Sequence, residues 1–85
     1  MVKLTEARTL VLAYLARLKE FHAPPTGPEI STHLGHSAYW ATPKLVWLEY
    51  NRLVERLGQS STGGNCYRIT PAGRAALADG GRDAG

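Results

Sequence analysis

Between residues 37 and 47 the chain gathers Ser37, Tyr39, Trp40, Thr42, Lys44 and Trp47. Hydroxyls, a phenol and an ammonium can hydrogen-bond to phosphate oxygens and base edges, and a threonine methyl suits the 5-methyl of thymine. Farther on, Arg52, Arg56 and Arg68 flank a polar stretch that contains Ser61 and Asn65. Guanidiniums neutralise phosphate, and the neutral groups can donate to it. Other chemistry is poorly supplied. His33 and His36 lie three apart, but no third or fourth ligand is near, His22 is remote and Cys66 lies far along the chain, so no metal is expected. Glu29, Glu49 and Glu55 are single carboxylates, each accounted for by a cap or a surface face. Gly63 and Gly64 do not follow a strand and open a helix, so they form no phosphate loop. The expectation is a protein that is not an enzyme and needs no cofactor.

Elements that would position these residues are readable from spacing. Thr5 suits an N-cap, Glu6 favours the first turn, and Ala7, Val11, Tyr14, Leu15, Leu18 and Phe21 recur at helical intervals, which predicts a helix over 6–21. Ala23-Pro24-Pro25 ends it. Thr26 and Glu29 have capping-box spacing with Pro28 in the first turn, so a second, two-turn helix runs through Ile30 and Leu34 to Gly35. Ser37 caps a third helix over 38–50, whose apolar face is Ala41, Leu45 and Leu48. Pro43 leaves two options: a kinked helix from 38, or a later start with Thr42 as cap and Pro43 first. Arg52–Leu57 and Cys66–Thr70 read as two strands of a hairpin around a polar tip from Gly58 to Asn65. Thr70 caps a last helix of about two turns, opened by Pro71 and carrying Ala72, Ala75, Ala76 and Leu77. Residues 1–78 form one domain, and 79–85 are expected to be a disordered tail.

Bulk properties agree with one small globular unit. Eighty-five residues with 44% hydrophobic content support a single modest core. A net charge of +3 leans weakly toward a polyanion. No apolar run approaches the roughly 20 residues a membrane span needs, and Met1–Glu6 has no signal-peptide stretch. A cytoplasmic location without membrane contact is the expectation. The single cysteine, Cys66, rules out an internal disulfide and is taken as a small buried apolar residue.

The element order implies an α+β winged helix-turn-helix: three helices, a two-stranded wing and a short C-terminal helix. A short helix, a three-residue turn near Gly35 and a capped helix would place residues 37–50 in a major groove, with the wing over 58–66 beside it. The residues also resemble PadR-type winged-helix regulators. That family carries Tyr-Pro-Ala-Leu-x-x-Leu-Glu followed by a Gly-Leu-Val-like strand opening. Here Thr42-Pro43-Lys44-Leu45-Val46-Trp47-Leu48-Glu49 precedes Arg52-Leu53-Val54. Tyr67-Arg68-Ile69-Thr70-Pro71-Ala72-Gly73-Arg74 resembles the opening of the family's last helix, and Thr26-Gly27-x-Glu29-Ile30 that of its second. MarR-like relatives share most of these matches. Thr42 stands for the family's tyrosine, Arg52 for its glycine, and its long C-terminal dimerisation region has no counterpart among these residues. The resemblance implies a transcriptional regulator bound to double-stranded DNA, with Pro43 inside the recognition helix.

Several assignments stay open at this level. Trp40, Lys44 and Trp47 share one flank: the indoles extend the core with Lys44 passing over them, or they are exposed with Lys44 at phosphate, or they meet another chain. Tyr39, Thr42 and Val46 face away from the core side. Only one basic residue lies on the third helix, which also suits a winged-helix protein-interaction module. A homodimer is expected, because Leu10, Val11, Leu12, Tyr14 and Leu15 cannot share one stripe. Its interface would use whichever of Leu10, Leu12 and Leu18 the core leaves unused.

Overall fold

The computed structural model describes residues 4–18, 23–59 and 64–83, with side chains of the last helix described to Asp79. Ser61 and His22, singled out by sequence, lie outside these residues. Four helices and one antiparallel hairpin follow in the order α1 (Glu6–Arg17), α2 (Gly27–His33), α3 (Thr42–Tyr50), β1 (Val54–Gln59), β2 (Asn65–Ile69) and α4 (Pro71–Asp83).

The Thr5 hydroxyl accepts from the Arg8 amide and caps α1, as its residue type predicts. α1 stops at Arg17, short of the expected residue 21. Leu18 turns to an extended conformation, and farther on Ala23–Pro25 leads the chain toward β2. There the Tyr67 amide donates to the Pro25 carbonyl at 3.0 Å, and Thr26 bridges Cys66. This isolated bridge beside the two-stranded sheet has no signal in the alternation of residues. Cys66 is half-exposed rather than buried, because strand alternation puts it on the side of exposed Arg68, opposite the buried Tyr67 and Ile69.

α2 follows its expected chemistry closely. Thr26 and Glu29 form a complete capping box, and Leu34 closes the helix before Gly35 takes φ +80°. α3 departs from expectation. It begins at Thr42, with Ala41 as a cap residue lacking any side-chain bond. Ser37 is therefore not a helix cap; its carbonyl accepts from the Trp40 amide in the turn before α3. Pro43 sits in the first turn, where its missing N–H costs nothing, so no kink is required. Tyr39 and Trp40 accordingly belong to a long turn over residues 34–41, not to a helix, and that turn replaces the expected three-residue link.

The core is one cluster: Val11, Leu12 and Leu15 of α1, Ile30 of α2, Ala41 before α3, Leu45 and Leu48 of α3, and Leu53, Val54, Tyr67 and Ile69 around the hairpin. Ala41, Leu45 and Leu48 are fully buried, as their spacing predicts. Leu12 is also fully buried, so the core draws on a wider arc of α1 than the predicted stripe.

β1 starts at Val54 rather than Arg52, because Arg52 adopts a left-handed φ of +62° that no strand accommodates. The strands run farther toward the tip than expected, reaching Gln59 and Asn65, with a register shift between Arg56 and Gly58. Thr70 caps α4 by accepting from the Gly73 amide at 2.9 Å, and its hydroxyl donates to the Arg52 carbonyl at 2.8 Å. α4 continues to Asp83, past the expected end near Ala78. Arg74 donates to the Ala16 carbonyl at 3.3 Å, joining α4 to α1.

Candidate nucleic-acid interface

A single buried hydroxyl joins α2 to α3. Ser31 Oγ, with no solvent exposure, donates to the Gly27 carbonyl at 3.0 Å and accepts from the Ala41 amide at 2.9 Å. The Ser31 carbonyl accepts from the His36 amide at 2.9 Å. One residue thus satisfies backbone groups on both sides of the 34–41 turn. Its i+4 bond back to Gly27 is within reach of sequence reasoning. The bond to Ala41 is not, because it depends on how the turn folds.

That turn and α3 present two unlike faces. Toward the core lie Ala41, Leu45 and Leu48. Toward solvent lie Thr42, Pro43, Val46 and Tyr50, with Tyr39 just before the helix. Tyr39, Val46 and Tyr50 are 78%, 56% and 86% exposed, high values for side chains of this size. Sequence reasoning finds Tyr39, Thr42 and Val46 on this face and misses Pro43 and Tyr50. Both follow from helical spacing once the start at Thr42 is fixed.

Lys44, Trp40 and Trp47 lie on the flank between the two faces. Both indoles are half-buried and pack against the core. Lys44 Nζ donates to the Trp40 carbonyl at 2.9 Å and stands 4.2 Å from the centre of the Trp40 ring. His36 stacks on the same ring at 3.8 Å and 8°. Arg8 of α1 lies 3.7 Å over Trp47. These contacts match the core-extending reading, with Lys44 passing over its neighbour.

Arg56 and Arg68 are not brought together. Arg56 pairs with Tyr67 across the hairpin, on the face that turns inward, and its Nε lies 3.4 Å from Glu49 Oε2 of α3. Arg68 is opposite Glu55 on the outward face. Arg52 is exposed at the junction of α3 and β1, and Ser37 is exposed in the turn. Asn65 is half-buried at the start of β2. Burial, aided by the Glu49 carboxylate, raises the Tyr67 phenol above its ordinary range, so it remains neutral.

A solved structure with the same arrangement decides the fold. The crystal structure of transcriptional regulator PA3341 superposes with a TM-score of 0.69 at 30% identity, over 88% of this chain. The fold is a winged helix. In winged-helix terms, α2 and α3 are the helix-turn-helix and β1–β2 is the wing. The chain spans about half of PA3341, 53% of its length. No protein-family model matches the chain, and no curated protein matches it in sequence. Among the described residues, no group of three His, Cys, Asp or Glu is placed to hold a metal, and no helix is long and apolar enough to cross a membrane.

Proposed function

We propose that this winged helix binds double-stranded DNA in a sequence-specific way, as a small repressor-like transcriptional regulator. Residues 37–50 enter the major groove, and the wing over 58–66 follows the adjacent backbone. The observation that carries this reading is the two-faced α3. Its inner face is locked into the core, while Tyr39, Thr42, Val46 and Tyr50 stand in solvent on a fold shared with a transcriptional regulator. A rigid helix with an uncommitted outer face fits a groove. Arg52 and Arg68, both exposed, are the candidates for phosphate contact, with Ser37 and Asn65 as neutral donors. The matches over Thr42–Glu49 and Tyr67–Arg74 support a PadR-like regulator in particular.

Assembly belongs to the same proposal. A second copy on a palindromic site raises affinity without new kinds of contact. The core takes Leu12, and Leu18 packs against it, which leaves Leu10, 44% exposed, as the α1 residue that meets a partner copy. Sedimentation equilibrium that finds a monomer, with one chain bound per site, would reject the dimer.

The test of binding is anisotropy titration of duplex DNA across salt concentrations. Phosphate neutralisation makes log affinity fall linearly with log salt. Alanine at both Tyr39 and Thr42 should reduce discrimination between a selected site and random duplex while leaving the melting temperature unchanged. A second reading, a protein-interaction module, draws on one observation. The outer face of α3 is uncharged, and its lysine is bonded to the Trp40 carbonyl. Salt-independent or absent DNA binding favours that reading.

A further inference from the structure

Resting on the DNA reading, we propose that the outer face of α3 reads thymine 5-methyl groups rather than hydrogen-bonding patterns, so its preferred site is rich in A·T pairs where α3 lies. The argument is an accounting of donors and acceptors. Guanine is read by a bidentate arginine or a lysine, adenine by an asparagine or glutamine amide, and cytosine by a carboxylate. α3 contains no arginine or glutamine. Lys44 is bonded to the Trp40 carbonyl at 2.9 Å. The Asn51 amide at the end of the helix donates to the Trp47 carbonyl at 2.9 Å. Glu49 faces Arg56 at 3.4 Å. In the preceding turn, His36 is stacked on Trp40. Every ammonium, amide, carboxylate or imidazole on α3, at its end or in the preceding turn is thus engaged within the fold, and only hydroxyls, which discriminate bases poorly, stay free.

What remains on the outer face is Tyr39, Thr42, Pro43, Val46 and Tyr50. Even here the Thr42 hydroxyl leans back toward α2, since a Cβ at Gly27 would lie 3.5 Å from it. An apolar branched side chain in a major groove has one favourable partner on the base edges, the 5-methyl of thymine. Val46, exposed in the middle of α3 and one turn beyond Thr42, is the residue best placed to cover it. The exposed arginines at 52 and 68 supply charge to phosphate without reading bases.

The test selects a site for the full chain from random duplex DNA and then replaces each thymine in turn with deoxyuridine, which removes only the methyl. At one or two positions, affinity should fall about fourfold, the equilibrium equivalent of burying one methyl-sized group. Val46→Ala, at a solvent-exposed position that should not disturb folding, should remove that penalty at one of these positions and leave the others. A selected site lacking thymine, or deoxyuridine without effect throughout, overturns the proposal. So does a penalty that is identical in Val46→Ala. If no duplex is enriched and binding is insensitive to salt, the DNA reading itself fails.

Discussion

The helix-turn-helix and the wing solve the burial of polar backbone differently. Within the helix-turn-helix, the groups that packing would strand are bonded inside the unit: Ser31 Oγ takes the Ala41 amide at the 34–41 turn, and the capping box of Thr26 and Glu29 closes the start of α2. Leucines with no solvent exposure lie directly beneath. The wing is anchored at its base, where Val54, Tyr67 and Ile69 are buried and Thr70 bonds to Arg52 and Leu53, and along β2, where Thr26 bridges Cys66 and the Pro25 carbonyl accepts from the Tyr67 amide. Beyond Val54 every residue of β1 is exposed. One region is closed by its own buried side chains, and the other leaves β1 as a strand exposed to solvent. Base readout needs the first property, since van der Waals attraction to a base edge weakens sharply when even a small gap opens. Binding to a phosphate backbone tolerates the second.

The largest expected effect lies in the rigid region. Leu45→Ala or Leu48→Ala removes a fully buried side chain that joins α3 to the rest of the core. Each should cost about 2–5 kcal/mol, much of the stability of a domain this size. Urea unfolding measures it, and a loss below about 1 kcal/mol would mean the core does not depend on α3. Next comes the base of the wing. A Cβ at Gly73 would collide with the Leu53 carbonyl and approach Ile69 Cγ1 to 2.8 Å. Backbone yields less than a side chain, so Gly73→Ala should approach the upper end of the about 1–3 kcal/mol typical of overpacking. A thermal melt equal to the parent's would show that α4 can move away without loss, and that the wing base is looser than its packing suggests.

Ser31→Ala tests the turn itself. It leaves the Ala41 amide buried without its acceptor and should cost about 1–2 kcal/mol. Ser31→Thr tries the hydroxyl in a larger side chain. If Ser31→Ala binds a selected duplex with undiminished discrimination and melts unchanged, the rigidity assigned to the helix-turn-helix does not come from this residue.

Much of this architecture is legible in the sequence, and the division follows a physical rule. Local features are readable: the caps at Thr5, Thr26 and Thr70, the break at Gly35 and the Ala41–Leu45–Leu48 face each depend on residues within a turn or two. Features set by distant partners are not. The bridge from Thr26 to Cys66, the role of Ser31 and the burial of Leu12 all depend on which elements pack together. The start of α3 escapes sequence reasoning for the same reason. Ser37 looks like a cap in isolation, but the buried bond from Ala41 to Ser31 fixes the helix start four residues later than residue 38. Of the candidate interface, Thr42 follows from helical phase, whereas Tyr39 is exposed in the turn before α3 and not on the helix from which its phase is read. The engagement of Lys44 with Trp40 is one of several possibilities until the turn is in place.

The smallest effect, and the only gain, is expected where the two regions meet. Arg52 holds φ +62° between α3 and β1 while its carbonyl accepts from Thr70. An L-residue in that conformation costs about 1–2 kcal/mol relative to glycine. Glycine in turn loses about 0.5–1 kcal/mol through its more disordered unfolded state. Arg52→Gly should therefore stabilise the fold by about 0.5–1 kcal/mol and raise the melting temperature by about 2–8 °C. If Arg52 touches phosphate, the same variant should bind DNA more weakly at every sequence and lower the salt slope by about one unit. A stabilised variant with unchanged affinity would show that the arginine serves neither region. An unchanged or lower melting temperature would mean that the arginine side chain offsets the strain through interactions of its own, and that the junction is a better-supported element than its backbone suggests.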